Sequence, residues 1–425
     1  MLDMKFIREN PDAVKNACRV KGYPDPVDDI LALDARVREL KTVTQSKTAE
    51  KNKISREIAT AADKAALIAA SKQIGDEIAA DMAQLAEAEE KLNDLMHRVP
   101  QIPALDAPVG PDDGANVEIL RVGAPRNFDF TPRPQWDLLD MNGWWAPEKI
   151  SKICGTRTYA LMGEAAELQL AVETYVVQKL IGRGFTLIEC PAITKPETIF
   201  NAGHFIGSDM SVMNDDVFML AGTDRCLAGT SEIVMNSLHA GEILAEKDLP
   251  IKYAGFSACF RKEAGAAGRD TRGLVRVHQF SKVEQYVYCT PEQSDDMHAQ
   301  LLQNLCDIMA DFELPYRVIA NCTGDMGFNK VKMNDVEAWI PSENGYKELG
   351  SCSSIGQFQA RRTNTRYRAL DGSMQFCATL NNTGIAVPRA LVPIIENHQN
   401  ADGSVNIPRC LQPLMGGRTK IGGKH

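Results

Sequence analysis

Between Phe260 and Phe280 the chain reads Phe-Arg-Lys-Glu-Ala-Gly-Ala-Ala-Gly-Arg-Asp-Thr-Arg-Gly-Leu-Val-Arg-Val-His-Gln-Phe, which sets Arg261, Arg269, Arg272 and Arg276 around a glycine-punctuated loop. A guanidinium is planar and permanently charged, so it pairs bidentately with phosphate and can lie against an adenine ring. The glycines let such a loop close over a ligand. The chemistry favoured is polyphosphate binding, with the arginines spreading the negative charge that develops when a phosphoryl group is attacked. A charged surface hairpin would account for two of these arginines, but poorly for four so arranged. The chain has no Gly-x-Gly-x-x-Gly and no Gly-x-x-x-x-Gly-Lys-Ser/Thr sequence. A nucleotide would therefore be held by side chains rather than by a backbone phosphate loop.

The elements that must position these residues are legible from periodicity. From about Val117 to Met415, short β-branched or aromatic runs such as 186–190, 253–256 and 284–288 alternate with helical stretches such as 164–183. The pattern predicts an α+β fold without regular βαβ repetition. Upstream, Ile30, Leu33, Val37, Leu40, Thr44, Ile54 and Ile58 recur every three or four residues, as do Ile74, Ile78, Met82, Leu85, Leu92 and Leu95. With a turn at 60–64 this predicts two antiparallel coiled-coil helices of about 35 residues, each roughly 50 Å long. Thr44, Lys47 and Lys51 fall on the seam, so packing alone does not hold the middle of this arm. The proline- and glycine-rich stretch 101–116 reads as an extended linker, giving an arm over residues 1–110 and a second domain over 111–425.

Composition narrows the class. The chain has 425 residues, 44% of them hydrophobic and 24% charged, enough for a large core in two or three domains. It has no apolar run of the roughly 18 residues that a membrane helix needs, and its charged start, MLDMKFIREN, is unlike a signal peptide. The expectation is a cytoplasmic protein without membrane contact. The 11 cysteines include no Cys-x-x-Cys pair, and the seven histidines show no metal spacing. A net charge of −9 argues against a nucleic-acid partner, yet Arg36, Arg38, Lys41, Lys47, Lys51, Lys53 and Arg56 cluster on the first predicted arm helix.

The 260–280 segment is similar to motif 2 of the class II aminoacyl-tRNA synthetases, in the form typical of the seryl enzymes. Segment 380–399, Leu-Asn-Asn-Thr-Gly-Ile-Ala-Val-Pro-Arg-Ala-Leu-Val-Pro-Ile-Ile-Glu-Asn-His-Gln, resembles motif 3, and Leu187-Ile-Glu-Cys-Pro191 resembles motif 1. Gly229-Thr-Ser-Glu232, Lys282-Val-Glu284 and Glu348-Leu-Gly-Ser351 are similar to seryl-family substrate segments, and an N-terminal helical hairpin of this length belongs to the same family. The resemblance implies a catalytic domain on a mixed, mainly antiparallel sheet with flanking helices, acting as a homodimer. It implies activation of L-serine with ATP to seryl-adenylate, release of pyrophosphate, and transfer of serine to the 3′ end of serine tRNA and also of selenocysteine tRNA.

The implied site follows residue by residue. Arg261 would meet the α-phosphate and the serine carboxylate, Glu263 the adenine side and Arg389 the γ-phosphate. With Glu348 these two arginines are the implied catalytic groups. Glu348 and Ser351 would hold Mg²⁺. Thr230, Ser231, Glu232 and Glu284 would bind serine with Arg261, Asn381 and Thr383. Lys262, Val277, Leu349 and Gly350 complete the ATP site. His278 is expected to be structural, because the serine carboxylate is ionised at neutral pH and needs no general base. Lys47, Lys51, Lys53 and Arg56 would contact tRNA. The chain departs from the family pattern at 202–207, at Leu349 and Gly350, and at Gln135, where a histidine is common. A carrier-protein ligase would lack the arm, and a non-catalytic descendant would have lost one of these charged groups.

Overall fold

The computed structural model describes residues 1–61, 63–206, 217–264 and 273–423. The chain divides into two compact units, one built on Met1–Pro100 and the other on Gln101–Phe205 and Met210–His425.

In the first unit two long helices, Val27–Thr60 and Ala65–His97, run for 34 and 33 residues. Short helices Met4–Glu9 and Pro11–Val20 precede them, burying Ile7, Val14 and Cys18 with Val27 and Ile30. The hairpin seam is apolar near its base, where Val37, Leu40 and Ala88 pack with Leu85 and Leu92. Further out it is ionic. Lys47 reaches Asp81 at 2.7 Å and Glu77 at 3.2 Å, and Lys51 lies over Gly75. Met82, expected on the seam, is 57% exposed. The strict three-four spacing 74, 78, 81, 85, 88, 92 puts Asp81 and Ala88 on the seam instead, which a mere count of apolar residues overlooks.

The second unit is built on an eight-stranded sheet. Its strands are β1 (Val117–Val122), β2 (Thr186–Glu189), β3 (Ile251–Phe260), β4 (Gln279–Cys289), β5 (Tyr316–Ala320), β6 (Lys332–Ile340), β7 (Gly345–Gly356) and β8 (Ala378–Ala386). The spatial order is β1-β5-β6-β7-β8-β4-β3-β2, antiparallel except for the β2–β3 pair. This is the mixed, mainly antiparallel sheet expected. The stretch after Pro100 is irregular but not free-running. Gln101 and Ala104 donate backbone hydrogen bonds to Phe328 and Val331, while Thr323 and Gly324 donate to Pro108 and Gly110. The backbone groups of this linker are thus paired within the second unit, so the division falls near residue 100 rather than 110.

Alternation along the central strands separates two faces. On one, Val283, Val287, Leu380 and Ile385 join a core with helices Gly163–Gly182, Ser294–Asp311 and Val387–Asn397. Gln285 and Asn382 share that face; both donate their amide nitrogens to Leu301 O, and Gln285 Oε1 accepts from Asn304. The other face carries Lys282, Glu284, Tyr286, Asn381 and Thr383. Register pairs Thr383 with Glu284 and Asn381 with Tyr286, so these side chains line up across β8 and β4. The cysteines are free thiols, most of them buried. Among the described residues no helix is long and apolar enough to cross a membrane.

Candidate active site

The β3–β4 pair ends at Phe260 opposite Gln279, and the main chain continues the ladder beyond it. Arg261 N donates to His278 O at 3.0 Å, and His278 N donates to Arg157 O at 2.9 Å. The His278 ring meets Arg261 O at 3.0 Å through Nδ1, the structural role expected of it. With its backbone held, Arg261 lays its guanidinium 5.3 Å from the centre of the Phe280 ring and donates to Gly229 O at 3.4 Å. Glu263 sits at φ +52°, a left-handed conformation uncommon outside glycine. Arg157 donates to its carbonyl at 2.6 Å and Arg276 to its carboxylate at 3.1 Å. Arg276 therefore fixes the loop base through Glu263. Arg269 and Arg272 lie outside the described residues.

A cleft of about 520 Å³ opens over this end of the sheet. Arg261, Glu263, Val277, Phe280, Lys282, Glu348, Leu349, Thr383 and Arg389 line it, residues drawn from four separate stretches of chain. Arg389 is the third residue of helix Val387–Asn397, whose N-terminal turn borders the cleft. Arg389 lies 3.8 Å from the Glu348 carboxylate and 3.5 Å from the Glu348 carbonyl. A β-bulge in β7 between Glu348 and Gly350 decides what Glu348 can partner. Glu348 pairs with Glu337 and Ser351 with Asp335, two positions apart on β6, so the bulge brings Glu348 and Ser351 to one face. Ser351 Oγ and Asp335 Oδ1 are buried without hydrogen-bond partners. Burial and then the charge of Glu348 push the Asp335 carboxyl up to about 7. Such a concentration of hard oxygens fits a Mg²⁺ ion, which takes few protein groups beside phosphate oxygens. Among the described residues no group of three His, Cys, Asp or Glu side chains forms a denser metal site.

Beside this cleft is a second, lined by Gly229, Thr230, His204, Phe205 and Phe260, with Arg261 on the border of both. Three charged side chains are buried next to Thr230, namely Glu232, Glu284 and Lys282, at 6%, 1% and 7% exposure. Lys282 Nζ lies 2.5 Å from Glu284 Oε2 and donates to Thr230 Oγ1 at 3.1 Å. Asn381 donates to Glu284 Oε1 at 3.4 Å. Burial pushes both carboxyls above their ordinary range, and the Lys282 charge opposes this in each. Two carboxylates thus face one buried lysine, an imbalance that a ligand ammonium would correct. The His204 imidazole, its side chain 39% exposed, lies 3.9 Å from the Glu232 carboxylate.

Some assigned side chains point elsewhere. Ser231 is buried and donates its hydroxyl to Gly255 O at 3.1 Å. This fixes the start of helix Glu232–Ser237, which can approach β3 closely because residue 255 has no Cβ. Lys262 lies 6.0 Å from the Phe218 ring centre. Gly350 abuts Leu305 and Thr383, a packing position. Lys47 is engaged by its acidic partners within the arm, whereas Lys53 and Arg56 are exposed. Sequence reasoning missed Lys282, Phe280 and Gln359. Lys282 and Phe280 sit two and four residues before Glu284, and strand alternation could have placed them on its face.

Residues 1–103 match the model of the seryl-tRNA synthetase N-terminal domain, and residues 220–398 match the tRNA synthetase class II core domain (G, H, P, S and T). The chain is similar to a serine–tRNA ligase of Deinococcus radiodurans, 47% identical over 99% of both chains. A serine–tRNA ligase of Symbiobacterium thermophilum is 41% identical over 97% of this chain and 98% of its own. Among solved structures, seryl-tRNA synthetase from Pyrococcus horikoshii complexed with ATP superposes with a TM-score of 0.92, at 35% identity over 99% of both chains. The cytoplasmic serine–tRNA ligase of Naegleria fowleri in complex with AMP gives 0.89, at 30% identity over 100% of this chain and 99% of that one.

Proposed function

The chain belongs to the seryl-tRNA synthetase family and is an ATP-dependent serine–tRNA ligase, and from that premise we propose which of its residues carry each part of the reaction. The observation that carries this reading is the position of Arg261, which borders both the cleft lined by Arg389 and Glu348 and the pocket lined by Thr230, the residue that Lys282 and the Glu232 main chain both reach. One guanidinium can thus meet the α-phosphate of ATP and the carboxylate of serine together, holding two anions that would otherwise repel.

In the first step a serine carboxylate oxygen attacks the α-phosphorus. The new P–O bond forms as the bond to the β-phosphate oxygen breaks, and pyrophosphate leaves with that electron pair. Arg261 spreads charge on the phosphoryl oxygens, while Arg389 anchors the γ-phosphate at the far end of the cleft. Glu263 and Val277 bound the adenine side with Leu349, whereas Lys262 and Gly350 do not line this cleft. Glu348 and Ser351 would hold Mg²⁺, which when bound neutralises phosphate charge. Glu232 and Glu284 receive the ammonium and hydroxyl of serine. Thr230 and the Ser231 backbone lie on one side, and Asn381 and Thr383 close the other. In the second step a hydroxyl of the terminal tRNA ribose attacks the acyl carbon and AMP departs. Selenocysteine tRNA is a second acceptor in this reading, the working form is a homodimer, and the compartment is the cytoplasm.

Serine-dependent exchange of pyrophosphate into ATP, without tRNA, tests the first step. Exchange is expected with serine and not with threonine, alanine or cysteine, because a site built to hydrogen-bond a hydroxyl leaves its own groups unpaired around alanine. Equal exchange with alanine would refute the pocket assignment.

The arm, with its long helices Val27–Thr60 and Ala65–His97, is the tRNA-binding element in this reading. Lys51, Lys53 and Arg56 are the stronger phosphate candidates, Lys47 being committed to Asp81 and Glu77. Replacing Lys51, Lys53 and Arg56 together with alanine is expected to weaken tRNA binding. It should also flatten the salt dependence, by about 0.7–0.9 in log–log slope for each phosphate no longer neutralised. Pyrophosphate exchange should be unaffected. Parallel loss of exchange and tRNA binding would count against a separate role for the arm.

A further inference from the structure

Gln359 lies on helix Phe358–Thr363, which supplies none of the substrate contacts assigned above, and it is completely buried. Its amide nitrogen donates to Glu232 Oε1 at 2.8 Å and to Ala202 O at 3.0 Å. Its carbonyl oxygen accepts from Tyr286 Oη at 2.8 Å and from Thr379 Oγ1 at 2.7 Å. Ala202 O can only accept, so the end of the amide facing it and Glu232 must be the NH₂ group. Both hydrogens and both lone pairs are then used, and the side chain has one permitted orientation. Tyr286 and Thr379 come from adjacent strands and are themselves buried, so the sheet sets the position of this amide.

We propose that Gln359 is a positioning residue for serine activation: it aims Glu232 at the substrate ammonium, keeps that carboxylate ionised in a buried pocket, and ties the pocket wall after Ala202 to the same point. The proposal rests on the reading that Glu232 receives the ammonium. A donor directed at a buried carboxylate stabilises its charged form. The charged and polar groups facing Glu232 come from every neighbouring element. These are Lys282 and Glu284 from β4, Asn381 from β8, Lys330 from the segment before β6, and His204 at 3.9 Å. Lys282 is itself taken up by Glu284 and Thr230, so the neutral amides of Gln359 and Asn381 are the donors to Glu232, and Gln359 is the one locked in place at 2.8 Å by its own buried partners.

The test compares Gln359→Met, of similar size but without donors, with the unaltered enzyme in pyrophosphate exchange. Serine KM is expected to rise about tenfold to a hundredfold, the range for losing a hydrogen bond to a charged group, with ATP KM changed less than twofold. Without its donor Glu232 ionises at higher pH. The acidic limb of kcat/KM for serine should therefore move upward in pH, and the defect should narrow as pH rises. Tyr286→Phe, which removes one anchor of the amide and no volume, should shift the limb the same way by a smaller amount, and it supplies the answer if Gln359→Met does not fold. Equal rises in serine and ATP KM, or an unmoved limb, would overturn the proposal. Glu232→Gln separates the two ideas. If it leaves serine KM unchanged, the reading of Glu232 fails; if it raises serine KM while Gln359→Met does not, only the role of Gln359 fails.

Discussion

Arg261→Ala is expected to lower serine-dependent pyrophosphate exchange by about a hundredfold to a thousandfold in kcat, the range for removing one preorganised group that stabilises transition-state charge. The fold should be unaffected. Arg261 holds its place through its main chain, which bonds to His278, and its side chain makes one long hydrogen bond to Gly229 and packs on Phe280. Thermal unfolding should therefore coincide with that of the unaltered protein. Arg261→Lys keeps the charge but not the planar fork, so it should recover only part of the loss. Because this guanidinium borders both clefts, KM for serine and for ATP should both rise. A defect in one substrate alone, or a loss below tenfold, would move the reaction centre away from Arg261.

Glu284→Gln is expected to reduce kcat/KM for serine by about tenfold to a hundredfold, the range for lost hydrogen bonds to a charged group, while ATP KM stays nearly constant. The sign follows from the charges. Glu232 and Glu284 face Lys282, and the substrate ammonium restores the balance; with glutamine at 284 the two ammonium groups share one carboxylate. Glu284 is 1% exposed and its partner Lys282 is also buried, so water cannot fill the gap in charge. Steady-state kinetics in both substrates would check this. If Glu284→Gln bound serine as well as before, Glu284 would be no more than the structural partner of Lys282.

Several elements were legible because their signals are local. The arm was visible as three-four periodicity, and Val37 and Leu40 are indeed buried on its seam. The helix expected over 164–183 spans Gly163–Gly182, and the run 284–288 falls inside β4. Met82 shows the limit even here, since an apolar residue one position off a strict heptad faces solvent while Asp81 turns inward to Lys47.

The sequence by itself determined the class of chemistry, through the arginines of 260–280 and the resemblance they carry, and it determined the two-part organisation through periodicity and a proline-rich break. Only the tertiary structure decided which groups share a pocket. Gln359 meets Glu232 across 127 positions, and Asn381 meets Glu284 across 97. The bulge after Glu348 turns it to the face of Ser351 only because β6 fixes the register. Ser231 and Lys47 have the side chains of ligand-binding residues, but Gly255 and Asp81 beside them take up those polar groups. The reason is physical: propensity and periodicity act over a few residues, whereas burial, charge pairing and hydrogen-bond satisfaction are set by whatever the folded chain brings within a few ångströms.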